Sequence, residues 1–430
     1  MKQIFSTIIA SILFFCSCKQ QVTSVKDYSP FLNTSKFDKK LSANTDEIEF
    51  WQHKLLTDSG SYIYKFELAL HLIERFHLKA NPDDLSKADS LLFNCLSKIG
   101  GKEPALYYTL IQNAILQHRF NEAGKYLQRL LDLGGDPLIV KLLSFDVYFE
   151  QGKYYEASNA ISELGNKNQN FDFLIRNAKL LDHQGKSEAS LRQMELAYQI
   201  ALKKGKPSAI NWCLTNLADM YTHAGKIEKA YNYYLSALQK DSSNFHALNG
   251  IAKICYLKDK DYENAENIIL FSQQIAPRPE NYLLLSEIEG GAGNIEIKSQ
   301  YENLFFKMLY QNKYGNMYNK YILSKIFSGK GNKSEALSIS LKEIQNRATP
   351  ETYSWLAYSY FQNGKIDEAT KLVQSEVVGK TFEPESLFIA GIILNKSHKI
   401  QSEDCLKQCL KSEFELGPEK YKILQRLLKS

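Results

Sequence analysis

The residues whose types could do chemistry are few and lie scattered along the 430-residue chain. His71 and His77 are six positions apart, a spacing that does not place two metal ligands on one helix face. Residues 290–293 (GGAG) lack the preceding strand of a dinucleotide-binding loop, and residues 329–334 (GKGNKS) have the wrong spacing for a phosphate-binding loop. No Gly-x-Ser-x-Gly motif is present. The sequence therefore predicts a protein that is not an enzyme and has no cofactor.

Cysteine spacing does not predict a metal site either. Five cysteines follow the first twenty residues: Cys95, Cys213, Cys255, Cys405 and Cys409. Cys405 and Cys409 are one helical turn apart, but no third or fourth ligand lies near them in the sequence. An odd number of cysteines outside the cytosol is often a sign of pairing between chains. We instead expect these residues to be small hydrophobic side chains in the core.

The N-terminus has the pattern of a secretory signal. Lys2 is followed by residues 4–15 (IFSTIIASILFF), which are almost wholly apolar. A helix of this length rises about 18 Å, whereas the apolar core of a bilayer is about 30 Å thick. The segment is therefore too short to span a membrane and is typical of the hydrophobic region of a signal peptide.

The next residues, Cys16-Ser17-Cys18-Lys19, resemble the lipobox of bacterial lipoproteins. In that family a small residue precedes a cysteine that is acylated and becomes the mature N-terminus. Ser17 fits before Cys18, whereas Phe15 does not fit before Cys16, so the resemblance implies lipidation at Cys18. Lys19 in place of an aspartate implies a lipid anchor in the outer membrane of a bacterial cell envelope, on its periplasmic or its surface side. Ordinary secretion with cleavage elsewhere is the alternative.

The signal peptide would thus comprise residues 1–18, and residues 19–45 would follow as a flexible tether. The latter are rich in Ser, Thr, Asn and Lys and show no helical apolar stripe. A flexible chain of this length has a root-mean-square reach of about 30 Å. No apolar run of eighteen residues follows, so we expect everything after Cys18 to be water-soluble.

One amphipathic pattern recurs along the rest of the chain. Its clearest copy comprises Leu214, Leu217, Ala218, Tyr221, Gly225, Ala230, Tyr234 and Ala237. A second copy has the same spacing and comprises Tyr353, Leu356, Ala357, Tyr360, Gly364, Ala369 and Val373. Steps of three and four residues define one face of a helix. The central glycine suits a left-handed turn, so each copy predicts two antiparallel helices.

These residues resemble the tetratricopeptide repeat (TPR), which places large and small residues at corresponding positions. A small residue usually opens the second helix of each unit. The ten marker positions are Ala88, Ala123, Ala157, Ser190, Ala230, Ala265, Lys298, Ala336, Ala369 and Cys405. They span 317 positions (405 − 88) in nine intervals of about 35 residues, close to the 34 of a TPR. Lys298 and Cys405 depart from the usual alanine.

The resemblance implies an all-α fold, a TPR solenoid of about ten helix-turn-helix repeats that forms a right-handed superhelix. The solenoid would cover residues 46–417, with residues 47–56 as a solitary helix over the first repeat. Residues 418–430 would form a C-terminal capping helix that begins with a proline. Caps are expected because terminal repeats need a solvent-facing outer surface.

In TPR proteins the first helix of each repeat lines the concave face, where ligands bind. The resemblance therefore implies a protein or peptide ligand on that face, with eight candidate binding residues: Gln112, Asp146, Lys179, Asp219, Lys325, Trp355, Tyr358 and Phe361. Thr215 and Asp219 occupy places where some TPR domains have the Lys and Asn that grip a C-terminal carboxylate, so no chaperone-tail clamp is expected. Trp355, Tyr358 and Phe361 could form an aromatic anchor pocket or could pack between repeats.

The charge pattern excludes one class of partner. The 53 basic and 48 acidic residues are interspersed, and no Lys/Arg block is dense enough to bind a phosphate backbone, so we expect no nucleic acid. The leading hypothesis is a non-catalytic, lipid-anchored scaffold that mediates protein–protein interaction in a bacterial cell envelope. The alternative is a lipoprotein that captures a glycan or peptide and partners an outer-membrane transporter. The identity of the partner is not encoded in a repeat, because fold does not determine function.

Overall fold

The computed structural model describes residues 21–164 and 170–429, and this part of the chain is built from helices without any β-strand. Its first α-helices are α1 (Val25–Tyr28), α2 (Ser35–Thr57), α3 (Tyr62–Lys79), α4 (Pro82–Lys98), α5 (Pro104–Leu116), α6 (Phe120–Leu133), α7 (Pro137–Glu150), α8 (Tyr154–Ser162), α9 (Phe171–His183), α10 (Ser187–Lys204), α11 (Pro207–His223) and α12 (Ile227–Lys240). The next are α13 (Phe245–Ile254), α14 (Tyr262–Ile275), α15 (Pro279–Ala292), α16 (Ile295–Gln311), α17 (Asn319–Phe327), α18 (Lys333–Asn346), α19 (Pro350–Gln362), α20 (Ile366–Glu376), α21 (Pro384–Lys396), α22 (Gln401–Gln408) and α23 (Glu413–Leu427). Short 3₁₀ turns follow α1 and α22, and a π-helical turn, Cys255–Asp259, follows α13.

The helices from α3 to α22 form ten consecutive pairs, which we number repeats 1 to 10. The first helix of each pair is called the A helix and the second the B helix. This arrangement confirms the predicted all-α TPR solenoid, a right-handed superhelix of about ten helix-turn-helix repeats. Helix α2 precedes repeat 1 and contains the predicted solitary helix. Helix α23 follows repeat 10 and is kinked at Gly417, so the capping element begins five residues before the predicted boundary.

Local sequence explains where the helices begin and end. Helix α7 begins with Pro137, whose missing N–H would have no partner at that position. The side chain of Asp136 accepts hydrogen bonds from the backbone N–H of Leu138 and Ile139 at 2.9 and 3.1 Å and so caps the same helix. Between α11 and α12, Gly225 adopts φ 69°, a left-handed conformation in which glycine is unstrained.

The marker positions lie in the register that the sequence predicts. In repeats 2 to 9 each marker lies three residues after the start of its B helix, and every marker except Lys298 is at most 2% exposed. Ser190 is accommodated in the core because its hydroxyl donates a hydrogen bond to the carbonyl oxygen of Ala178 at 2.6 Å. Lys298 fits because Gly290 faces it, where an added Cβ would lie 3.0 Å from the lysine Cδ.

The flexible tether predicted for residues 19–45 is wrong for residues 21–45. These residues include two helices, and they pack on repeats 5 and 6 instead of extending into solvent. Tyr28 is 2% exposed, and the ring of Phe37 packs edge-on against that of Phe245 with centroids 5.4 Å apart. The prediction failed because the segment is held by isolated anchor residues and polar contacts, which produce no apolar stripe.

We call residues 21–34 the strap. Its first residues bind the carboxylate of Asp259 at the end of the π-helical turn. The backbone N–H groups of Val22 and Thr23 donate to the two carboxylate oxygens at 2.9 and 2.8 Å, and the Thr23 hydroxyl donates at 2.7 Å. The start of the described chain is therefore attached to repeat 6.

Helix α2 connects two distant parts of the solenoid. Near its start, the Lys40 amine forms an ion pair with Asp241, which follows repeat 5, at 2.5 Å. Towards its middle, the side-chain amide of Asn44 donates a hydrogen bond to the carbonyl oxygen of His71 on α3 at 3.0 Å. One helix therefore joins repeat 1 to the junction of repeats 5 and 6.

Successive turns of the superhelix contact each other along what we call the inter-turn seam. Side chains of repeats 7 and 8 and the loops beside them donate hydrogen bonds to backbone carbonyl oxygens where the A helices of repeats 1 and 2 end. The donor–acceptor pairs are Arg278–His77 (2.9 Å), Tyr314–Ala80 (3.3 Å), Asn316–His118 (3.4 Å) and Asn346–His118 (2.8 Å). The bonded residues are 198 to 234 positions apart, which at about 34 residues per repeat is a turn of roughly six to seven repeats.

The seam continues in repeat 3, where the two backbones approach each other closely. Gly152 has φ 78°, and a Cβ added there would lie 2.6 Å from the carbonyl oxygen of Ala348. Gly225 has a similar φ of 69°, but a Cβ added there would have no atom within 4 Å. The two glycines therefore differ in the seam contact and hardly in backbone conformation.

This difference allows the seam to be measured. We expect Gly152→Ala to lower the free energy of unfolding by about 2–5 kcal/mol, because a left-handed alanine and a steric clash both destabilise the fold. Gly225→Ala carries only the conformational cost of about 1–2 kcal/mol. Urea denaturation of the two variants beside the wild type gives the comparison. Equal losses would show that the seam contact at repeat 3 does not exist in solution.

Candidate functional site

The eight predicted binding residues all lie on A helices, as the TPR resemblance implies. They belong to repeats 2, 3, 4, 5, 8 and 9. Gln112 on α5 is exposed. The charged candidates, by contrast, are engaged in contacts within the chain.

Charged side chains on successive A helices pair with each other in a row that we call the A-helix ladder. The carboxylate of Asp146 on α7 accepts two hydrogen bonds from Arg176 on α9, at 2.6 and 3.0 Å. One helical turn further on, Lys179 binds Glu150 at 2.6 Å. Burial would raise the pKa of the Glu150 carboxyl, but the Lys179 ammonium lowers it below its usual range. Adjacent repeats are thus joined by complementary charges.

The ladder continues in repeats 5 and 6. Asp219 on α11 accepts hydrogen bonds from the Tyr234 hydroxyl at 2.5 Å and from His246 on α13 at 2.8 Å. Burial would raise the pKa of Asp219, but the hydrogen bond from His246 and the other contacts lower it. Lys325 on α17 differs, because it binds Glu302 on the neighbouring B helix α16 at 3.3 Å.

In repeats 8 to 10 the ladder contains residues that the sequence did not indicate. Lys320 on α17 binds Glu351 on α19 at 3.1 Å, and Glu385 on α21 binds Lys420 on α23. Burial lowers the pKa of Lys320, but Glu351 and Glu385 raise it above its usual range. Its side chain keeps 45% of its surface exposed. Beside it, Tyr321 is 40% exposed, so this part of the inner surface remains open to a partner.

The predicted aromatic pocket is not formed as one unit. Trp355 is 3% exposed and belongs to the core of repeats 8 to 10. The Arg347 guanidinium lies 5.4 Å from its ring and 5.2 Å from the ring of Phe120 in repeat 2, so Trp355 contributes to the inter-turn seam. Tyr358 and Phe361 are half-buried, with ring centroids 5.7 Å apart. Packing between repeats and turns therefore accounts for Trp355.

Three carboxylates lie within electrostatic range of one another at the seam, and we call them the seam acid cluster. Asp182 ends the A helix of repeat 4, Glu383 precedes α21, and Glu415 lies at the start of α23. Each reaches solvent, but the surrounding protein limits its hydration and raises its pKa. Repulsion from Glu351, Glu415 and Asp182 adds to the raised pKa of Glu383. Sequence patterns do not indicate this cluster, because Asp182 lies more than 200 residues before Glu383 and Glu415.

The cysteines have the environment that the sequence indicates. In the described ranges the five cysteines are unpaired and buried, as predicted. Desolvation raises the pKa of Cys213 and Cys409 to about 12.

Among residues 21–164 and 170–429 no group of three or more His, Cys, Asp or Glu side chains is arranged to hold a metal, and no helix is long and apolar enough to cross a membrane. The predicted signal peptide and Cys18 lie outside the described residues.

Ten stacked helix pairs in this register define a TPR solenoid. Among solved structures, a TPR protein from Parabacteroides merdae is 18% identical, covers 60% of this chain and 99% of its own, and has a TM-score of 0.33. The quorum sensor NprR from B. thuringiensis, in its apo form, is 14% identical, with 72% and 96% covered and a TM-score of 0.42. Yeast Tom70 is 12% identical, with 94% and 96% covered and a TM-score of 0.36. Similarity at this level concerns the fold alone.

No protein-family model and no curated protein sequence matches the chain.

The raised pKa of Glu383 predicts a pH-dependent stability. A carboxyl whose pKa is higher in the folded than in the unfolded state opposes folding when ionised, so its unfavourable contribution disappears as pH falls through the folded-state pKa. We expect Glu383→Gln to raise the free energy of unfolding at pH 7 to 8 and to lose that advantage as the solution is acidified. Urea denaturation of the variant and the wild type at a series of pH values, from pH 8 into the acidic range, measures the effect.

Glu368→Gln is the matched control, because Glu368 is also exposed and also lies at the start of a helix, on the outer α20. It should show no gain at neutral pH. A Glu383→Gln variant that is destabilised at every pH would contradict the repulsion across the seam.

Proposed function

We propose that the protein is a non-catalytic TPR scaffold that binds a protein partner while a lipid on Cys18 holds it in the bacterial outer membrane, on the periplasmic or the surface side. The observation that carries the scaffold proposal is the row of ten helix pairs, whose A helices present one continuous inner surface. Support for the lipid anchor comes from the sequence Cys16-Ser17-Cys18 after an apolar segment.

An extended polypeptide is the partner that this inner surface suits best. The repeats present similar positions at regular intervals, so successive residues of an extended segment can each meet an equivalent place on the next repeat. Most charged side chains of the A-helix ladder pair with each other. The side chains that keep exposed surface are therefore the ones available to contact a partner.

Tyr321 is the strongest such contact point. It is exposed, and its hydroxyl lies in the field of Glu280, Lys320 and Glu385. Tyrosine is one of the residue types enriched at the energetic centres of protein interfaces. We therefore place the centre of the binding surface on the inner face of repeats 7 to 10.

Co-purification tests the scaffold proposal. The full-length protein is crosslinked gently in its native cells, and the co-purified proteins are identified and quantified. We expect a near-stoichiometric partner whose recovery falls about tenfold with Tyr321→Ala, because loss of a central aromatic residue costs about 1–2 kcal/mol of binding. Tyr310→Ala is the control, since Tyr310 is 70% exposed on the B helix α16.

The outcomes separate the parts of this proposal. If recovery of the partner falls equally with both variants, or with neither, the binding surface does not lie on the inner face of repeats 7 to 10. Recovery of no protein, together with binding of a glycan in solution, would favour the capture lipoprotein over the scaffold.

Substitution of the lipidated cysteine tests the anchor. We expect Cys18→Ser to move the protein from the membrane fraction to the soluble fraction, because acyl chains contribute about 0.8 kcal/mol per buried methylene to membrane binding. Cys16→Ser should leave the distribution unchanged. Metabolic labelling with a fatty-acid analogue gives an independent measurement, and label retained by Cys18→Ser would contradict the assignment.

A further inference from the structure

The strap binds repeats 5 and 6 with its first residues, not only with its middle. Beyond the three bonds to Asp259, the backbone N–H of Ser24 donates to the Tyr231 hydroxyl at 3.0 Å. The Cys255 thiol donates to the Thr23 hydroxyl at 3.3 Å, and Thr23 is 8% exposed. Val22 itself packs against the core of repeats 3 to 7.

These contacts are strong for so short a segment. A carboxylate that accepts hydrogen bonds from two consecutive backbone N–H groups forms charge-assisted bonds, which are roughly twice as strong as neutral ones. Asp259 is held in place because it ends the π-helical turn between α13 and α14. Tyr28 secures the middle of the strap, since this residue is 2% exposed. These contacts therefore hold Val22 firmly on repeat 6.

The distance from Cys18 to Val22 is short. Four residues in a fully extended chain span at most about 14 Å. The headgroup region on each side of a bilayer is about 5–8 Å thick, so a lipid-bearing residue at position 18 leaves little room between repeat 6 and the membrane. The 27-residue tether expected from sequence would instead have allowed about 30 Å and any orientation.

We propose that the turn between α13 and α14 in repeat 6 faces the phospholipid headgroups, so that the solenoid has one fixed orientation on the membrane. This inference rests on the proposed lipid anchor. Lys258 and Lys260 flank Asp259 on this turn and are exposed, and Lys26 on the strap is exposed as well. Ammonium groups at this position can contact lipid phosphates. Lys371 on α20 lies in repeat 9, about half a superhelical turn away, and faces solution.

The experiment measures proximity to the membrane in vesicles. The chain from Cys18 onward, which contains every residue that the structure describes, is coupled through Cys18 to a maleimide lipid in phosphatidylcholine vesicles that also contain a nitroxide headgroup lipid. The other thiols are buried, which disfavours their reaction. A fluorophore is attached through azidophenylalanine at position 258 or position 371. Chemical coupling makes this measurement independent of whether cells lipidate the protein.

We expect quenching at position 258 to be several-fold stronger than at position 371. Insertion of a 20-residue Gly/Ser linker between Gln21 and Val22 leaves the strap contacts intact and lengthens the connection to about 25 Å of root-mean-square reach, so the difference should disappear. Equal quenching at the two positions without the linker, or a difference that survives the linker, overturns the proposal.

Asp259→Ala tests the strap separately, because it removes the acceptor of three hydrogen bonds. In Asp259→Ala, the difference in quenching between positions 258 and 371 should fall to that of the linker variant. Glu263→Ala removes a nearby exposed carboxylate and should retain the difference. Circular dichroism establishes that both variants are folded. A difference that persists in folded Asp259→Ala shows that the strap does not orient the protein. Failure of the lipid anchor itself appears instead in the Cys18→Ser fractionation.

Discussion

Contact between successive turns of the superhelix is the constraint on which the rest of the structure depends. In most solenoids each repeat contacts only its neighbours, so stability is a sum of local terms. Here, carbonyl oxygens where the A helices of repeats 1 and 2 end bind side chains about 200 residues further along the chain. Carbonyl groups at a helix C-terminus have no partner within the helix. Residues in the left-handed conformation, such as His118, end these helices and leave the carbonyls free for the next turn.

The curvature that brings the turns together depends on pairs of small and large residues. Gly250 on α13 faces the ring of Tyr234, where an added Cβ would lie 2.3 Å from a ring carbon. Only glycine leaves room for the Tyr234 hydroxyl to bind Asp219. A similar pairing of a small and a large residue explains Lys298. Lysine can replace alanine at this marker position because its aliphatic side chain lies over Gly290. Its amine then binds Glu419 on α23 at 2.6 Å, so a departure from the repeat pattern becomes a contact between repeat 7 and the cap.

The sequence predicts what is local and periodic, and it does not predict what joins distant residues. Marker positions such as Ala230 set the repeat number and register, because a 34-residue unit fixes the spacing of its packed faces. For Trp355 the sequence left a pocket and packing between repeats equally open, because its partner Arg347 also contacts a ring of repeat 2 that no local pattern connects to it. The strap was missed because backbone N–H groups carry no side-chain signal.

These constraints determine how a partner can be recognised. The seam and α2 each connect repeats that are distant in sequence, so the inner surface has little freedom to widen. A partner that opened the turns would lose the seam hydrogen bonds. The four that end on backbone carbonyl oxygens alone contribute about 2–6 kcal/mol, and their loss would lower the affinity by a factor of roughly 30 to 10⁴. Recognition by a preformed surface avoids this loss, because neither the helices nor the ladder charges need to move. The exposed side chains of Lys320 and Tyr321, at the inner surface of repeat 8, fit such a rigid mode of binding.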